Sequence, residues 1–342
     1  MTKVLLIPTA FLAFAAVAIA GPLSSKGIPA EAKGIVHVDF DAGSKSLVIQ
    51  TLKQESEKAV AGESSGKKAY EDFKKQVGFD PSKDINDVTL GLIPKAGSDE
   101  PQAAIVVRGK FSPDKMVAAA KAKSIATTAY GKYTLISASA LKSAYLPDES
   151  GMAADALEDL LCCPFDKSTI LLGEKGTIEK AIDVYSGKSK PYAIPSTLTA
   201  YSKQVGSPIA LAYVSGDLDK SEPDPNNPMQ MPKMQNLYFA LADDGKNVKA
   251  RATSEYKDEA GAQQSQSMIQ MVMGFMQMAA SQTNGPDGKP DPKKVEDAKK
   301  LTKLLSSLKL SAEGKNLNVG LDYPTAEAVA QIKEQAKNLT GK

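Results

Sequence analysis

Three times along the chain the same order recurs: two β-rich segments across a polar turn, then an aromatic residue, then the start of a helix. Residues 88–93 (VTLGLI) and 103–109 lead to Phe111 and a helix opened by Ser112, Pro113 and Asp114. Residues 237–242 and 248–254, across DDGKN, lead to Tyr256 and a helix from Lys257. Residues 308–312 and 317–321, across EGKN, lead to Tyr323 and a last helix at Pro324 and Thr325. An antiparallel hairpin has one apolar face, and a helix that follows directly folds back to cover it. The junction aromatic then packs under the first helical turn, as a hydrophobic staple does. The pattern predicts an α+β fold of antiparallel sheets with helices packed on one face, in two lobes built from repeated ββα units. Residues 186–195, polar and with two prolines, are the expected boundary between lobes at 21–190 and 191–342.

The first twenty residues stand apart. Lys3 supplies a short positive region, residues 4–17 are apolar apart from Pro8 and Thr9, and Ala18-Ile19-Ala20 has the small-x-small form of a cleavage site. Residues 1–20 are therefore expected to be a signal peptide cut before Gly21. The mature protein is expected to be exported, periplasmic or extracellular, and no later segment is long enough for a transmembrane span.

Charge and residue usage exclude several classes. Lys plus Arg is 42 and Asp plus Glu is 40, which lacks the basic excess of a nucleic-acid binder. The two cysteines, Cys162 and Cys163, are adjacent and cannot staple distant segments. They are expected to be small apolar residues at the end of a helix. The lone histidine, His37, alternates with Val36 and Val38 on a strand and is expected to be satisfied or to face solvent. A zinc site needs more His or Cys than the chain has. Gly62-Glu63-Ser64-Ser65-Gly66 matches G-x-S-x-G, but a helical segment precedes it where a nucleophile elbow needs a strand, and His37 lies before the serine. Asp217, Asp219, Glu222 and Asp224 lack calcium-loop spacing and read as a solvated loop. These readings predict a non-enzyme without a cofactor.

Methionine is the unusual residue. Residues 267–280 (SMIQMVMGFMQMAA) form the most apolar run after the leader, in a helix expected over 257–281. At ~1.5 Å per residue the run is about 20 Å long, short for a bilayer. A helix apolar nearly all round is expected to be covered on most sides. Met268, Met271, Phe275 and Met278 share a stripe with core spacing and are the candidate residues for contact with a protein partner or an apolar ligand. A second cluster, Met229, Met231 and Met234, lies in a proline-rich loop and is the candidate site for a soft metal, Cu(I) or Ag(I). Whether the helix is sealed in one chain or shared between two, and so the oligomeric state, stays open at this point.

The segments GIPAEAKGIVHVDFDA and GFDPSKDINDVTLGL, with the FSPDK helix start, resemble a group of exported bacterial proteins that have no assigned function. That group shows a PADA-type lead, an HVDxDA strand and a GFDPxxDxxxVTL segment. The likeness covers mainly residues 28–123 and departs at Gly34 and Gly43, where bulkier residues are usual. It implies export and carries no catalytic residues. The sequence thus predicts an exported binding or assembly protein of the cell envelope, with soft-metal binding as the alternative.

Overall fold

The computed structural model describes residues 23–60, 64–98, 100–145, 159–216, 232–282, 289 and 291–340. The expected leader, the acidic stretch at 217–224, and Gly62 and Glu63 of the G-x-S-x-G match lie outside these residues. The strands are β1 (Gly34–Asp39), β2 (Ile85–Ile93), β3 (Gln102–Gly109), β4 (Thr127–Tyr130), β5 (Tyr133–Ser137), β6 (Leu161–Asp166), β7 (Thr169–Gly173), β8 (Pro208–Ser215), β9 (Met234–Asp243), β10 (Asn247–Tyr256), β11 (Leu308–Glu313) and β12 (Asn316–Pro324). The helices are α1 (Phe40–Lys45), α2 (Leu47–Val60), α3 (Ser64–Val77), α4 (Pro113–Ala122), α5 (Ala138–Tyr145), α6 (Lys175–Tyr185), α7 (Ser196–Val205), α8 (Glu259–Ser281), α9 (Pro292–Ser306) and α10 (Thr325–Thr340).

The three expected ββα units are present as β2–β3–α4, β9–β10–α8 and β11–β12–α10. Two more, β4–β5–α5 and β6–β7–α6, follow the same order. Phe111, Tyr256 and Tyr323 are all buried at their junctions, as the staple argument requires. Ser112 stands at the N-cap of α4 with Pro113 in the first turn, but its hydroxyl makes no capping bond.

The twelve strands of the described residues form one antiparallel sheet, in the order β11-β12-β10-β9-β8-β1-β2-β3-β7-β6-β5-β4. The antiparallel sheets expected from the sequence are thus a single sheet. β1 pairs with β2 on one side, from Gly34 opposite Leu92 to Asp39 opposite Asp87, and with β8 on the other, from Gly34 opposite Val214 to Val38 opposite Ala210. The strands of both halves of the chain therefore share one hydrogen-bond ladder.

Helices cover both faces of the middle of the sheet, not one as expected. On one face Ile28, Ile178 and Ile182 of α6, and Leu198 and Tyr201 of α7 pack with Val106, Leu171, Leu211 and Tyr238. On the other, Phe40, Phe73 and Val77 of α3, Met116 of α4 and Tyr145 pack with Leu90, Ile105, Val107 and Ile170. The cause is visible in β3, whose residues 103–107 are apolar without a break, and in β2, where the small Thr89 and Gly91 are buried between Val88, Leu90 and Leu92, so that neither face of this pair meets water. Cys162 and Cys163 lie in β6, not at a helix end, and as neighbours on a strand they enter opposite layers of the core.

The last three strands, β10, β12 and β11, are built differently. One face carries Tyr256 and Leu317 under α8. The other is polar, with Arg251, Thr253 and Glu255 of β10 beside Asn316 and Asn318 of β12, and the Arg251 guanidinium lies 2.7 Å from Asp322. Here the sheet keeps the single covered face that the sequence pattern predicts.

Candidate contact surface

α8 starts firmly. The Asp258 carboxylate caps it by accepting a hydrogen bond from the Gly261 amide at 2.9 Å, and Glu259 adds favourable charge in the first turn. Gly261 lets that turn sit against Tyr256, since a Cβ there would stand 3.2 Å from the tyrosine Cβ. The helix then crosses β10, β12 and the edge strand β11. Ala262 and Ile269 pack on Tyr256, Leu317, Leu310 and Ala312. Ser265, fully buried on the same side, has a hydroxyl with no hydrogen-bond partner among the described residues.

Ile269 is the last residue of α8 in this cluster, because among the described residues β11 is the end of the sheet. The helix has 23 residues, about 34 Å at ~1.5 Å each, and its second half runs on past that edge. There Met271 is 50% exposed, Val272 49%, Phe275 58%, Met276 42% and Met278 59%. The burial expected for residues 267–280 is thus corrected: the platform ends before the apolar run does. Of the four candidate contact residues, Met268 is half-buried, while Met271, Phe275 and Met278 point outward within an arc of roughly 60°. They share a stripe, as their spacing predicts, but it faces away from the core.

Among the described residues, this half of α8 is supported chiefly by α9. A shallow groove of about 520 Å³ runs between the two helices, with Gln277 and Ala280 on one side and Val295, Lys299, Thr302 and Lys303 on the other. α9 is tied in turn to α10 through Lys300 with Glu334 and Lys303 with Glu327. The Lys300 ammonium is held above its ordinary pKa by Glu334 and Glu296. The surface is therefore a supported helical ridge, uncharged on α8 itself from Ala260 to Ser281.

No protein-family model and no curated protein matches the chain. Among solved structures, crystal form III of TP0453 is similar with a TM-score of 0.47 at 9% identity, over 92% of this chain and 99% of that one. Crystal form I of TP0453 is similar with a TM-score of 0.41 at 9% identity, over 92% and 98%. Likeness of this degree fixes no activity and no partner.

The remaining sequence-marked residues fall elsewhere. Met229 and Met231 lie outside the described residues, and Met234 opens β9 at 38% exposure. His37 is buried, its Nδ1 2.9 Å from the Thr89 hydroxyl across the β1–β2 ladder. Cys162 and Cys163 are free and buried, and burial pushes both thiols up to about 12. Among the described residues no group of three His, Cys, Asp or Glu side chains is placed to hold a metal, and no helix is long and apolar enough to cross a membrane.

Two features were not singled out in the sequence. Asp39 and Asp87 stand directly opposite each other where β1 meets β2, with Asp41 buried beside them. Asp39 caps α1 by accepting from the amides of Asp41 and Ala42, and Arg108 Nε donates to Asp87 Oδ1 at 2.7 Å. Desolvation raises Asp39 and carries Asp87 to about 6. The signal was present in HVDFD and INDV, whose aspartates sit next to β-rich residues at the strand ends. The second feature is a polar groove of about 540 Å³ beside α7, lined by Tyr201, Tyr238, Thr253, Glu255 and Asn318 among others. Its groups satisfy one another: Thr253 Oγ1 donates to Asn318 Oδ1 at 2.9 Å, and Glu255 is held by Lys315 and Asn236. It is the solvated side of β10 and β12.

Proposed function

We propose that this chain is an exported, non-enzymatic binding or assembly protein of the cell envelope, and that it works through the outer half of α8. The observation that carries this reading is the exposure of Met271, Phe275 and Met278 by half or more on one side of a well-anchored helix. Single exposed apolar residues are ordinary on protein surfaces, but a contiguous ridge of large ones marks a contact site. Methionine suits that role because its unbranched side chain adapts to the surface it meets.

The non-enzymatic part of the reading rests on how the reactive groups are used. A thiol pushed up to about 12 is a poor nucleophile at neutral pH. His37 is buried and hydrogen-bonded in the sheet, and the aspartates beside β1 cap a helix and hold an arginine.

Methionine oxidation tests the proposal. In dilute purified protein, peroxide is expected to convert Met271, Met276 and Met278 readily, while the buried Met116 resists. In intact cells of the exporting host the same three residues are expected to be protected several-fold. Equal oxidation in both settings refutes the reading.

A further inference from the structure

Resting on that contact surface, we infer that its occupant is a second copy of this chain, packed α8 against α8 about a two-fold axis. Three features select this partner. The first is charge. From Ala260 to Ser281 the helix has no acidic or basic residue, so two copies meet without like charges opposed. On the supporting helix α9, Lys300 and Lys303 are engaged with Glu334 and Glu327 of α10, and Lys299, on the groove wall, has Glu296 of the same helix as its nearby counter-charge. A helix that docks on an anionic lipid surface carries lysines and arginines on its own polar face, and α8 carries none.

The second feature is shape. Met271, Gly274, Phe275 and Met278 stand at i, i+3, i+4 and i+7, the four corners of the hole into which a side chain of a facing helix inserts. Gly274 leaves that hole deep, because nothing lies within 4 Å of the place its Cβ would occupy. Phe275 of a second copy, itself 58% exposed, is a knob of matching size. In a two-fold arrangement each copy supplies one knob and one hole.

The third feature is area. Side chains of this size present about 200 Å² each when fully exposed, so Met271, Phe275 and Met278, which line the hole, offer roughly 330 Å² per copy; Val272 and Met276 lie about 100° and 140° round the helix from Met271 and face away from it. A pair then buries roughly 670 Å² of apolar surface before the polar rim of Gln270 and Gln277 is added, the size of a weak, reversible interface, which is why the dimer is expected only at micromolar concentrations and above.

Sedimentation velocity on the mature chain tests the inference. Over about 1–100 µM the chain is expected to pass from monomer to dimer. Gly274→Leu fills the hole on an exposed helical position and is expected to weaken dimerisation at least tenfold while leaving the fold intact. Met271→Glu/Phe275→Glu is expected to abolish it. Circular dichroism on both variants separates a lost interface from a lost fold. A chain that stays monomeric over the whole range overturns the inference, and so does a dimer that both folded variants retain. If the chain is monomeric yet its methionines are protected in cells, the contact surface stands with a different occupant, and flotation with anionic phosphatidylglycerol vesicles then tests a bilayer. If they are unprotected as well, the contact-surface reading falls with the inference.

Discussion

Replacing Asp87 with asparagine is expected to stabilise the protein at neutral pH and to do nothing at pH 4. The Asp87 side chain is 2% exposed, and burial raises its pKa from the ordinary 3.8 to about 6 despite the Arg108 partner. Asp39 across the ladder and Asp41 nearby add to the rise by charge repulsion. A shift of about two units corresponds to roughly 3 kcal/mol between protonated and charged forms, and 2 kcal/mol is a fair expectation once relaxation is allowed. The sign follows from proton binding. Between about pH 4 and 6 the folded chain holds a proton on Asp87 that the unfolded chain has released. Stability contributed by this group is therefore greatest below pH 4, falls as pH rises to about 6, and is level above. Asparagine cannot ionise, and its amide oxygen still accepts from Arg108 Nε. Other carboxylates, such as Glu255 and Asp322, are lowered and pull the whole-protein profile the other way. The quantity to measure is thus the difference between wild type and Asp87→Asn. Urea unfolding at pH 4, 5, 6 and 7.5 should give a difference near zero at pH 4 that grows to about 2 kcal/mol in favour of the variant by pH 7.5. A variant that is less stable at pH 7.5 would show that the Arg108 attraction outweighs burial, and the reasoning fails.

Three further outcomes follow from the packing. Ser265→Ala removes a buried hydroxyl that has no partner among the described residues and should raise stability by about 1 kcal/mol in urea unfolding; a loss would mean the hydroxyl is satisfied in solution. Tyr256→Ala opens a cavity under the first turn of α8 and should cost about 3–5 kcal/mol, measured the same way. Cys162 and Cys163 should resist a water-soluble thiol reagent in the native protein and both react in urea; fast labelling of either when folded would contradict their burial.

What was legible in the sequence was local. Hairpins, junction aromatics and helix starts are written in neighbouring residues, and the ββα units appear where Phe111, Tyr256 and Tyr323 place them. The joining of the two halves was not, because the contact that makes it pairs Gly34 with Val214, and no short-range pattern specifies which distant strand lies beside β1. β6 was hidden for another reason. Pro164 argues against an interior strand, yet it is accommodated beside a register shift between Pro164 and Asp166.

The Met-rich helix shows how a correct local reading produced a wrong burial. Its apolar composition implies a cover, but the extent of cover is set by the elements around it. Here the sheet that supports α8 ends at β11, whose alternating Lys309, Ser311 and Glu313 mark an edge strand with one solvated face. Nothing in residues 267–280 reports where that edge falls. The same residues do report the consequence once the edge is known. On the side of α8 away from the sheet, Gln263, Gln264 and Ser267 stand over the strands, where the outer face meets water. Past the edge that outer face changes to Met271, Phe275 and Met278. A helix that served only as core would keep its outward side polar along its whole length. The switch of that side from polar to apolar, at the point where the sheet stops, is the sequence trace of a second surface.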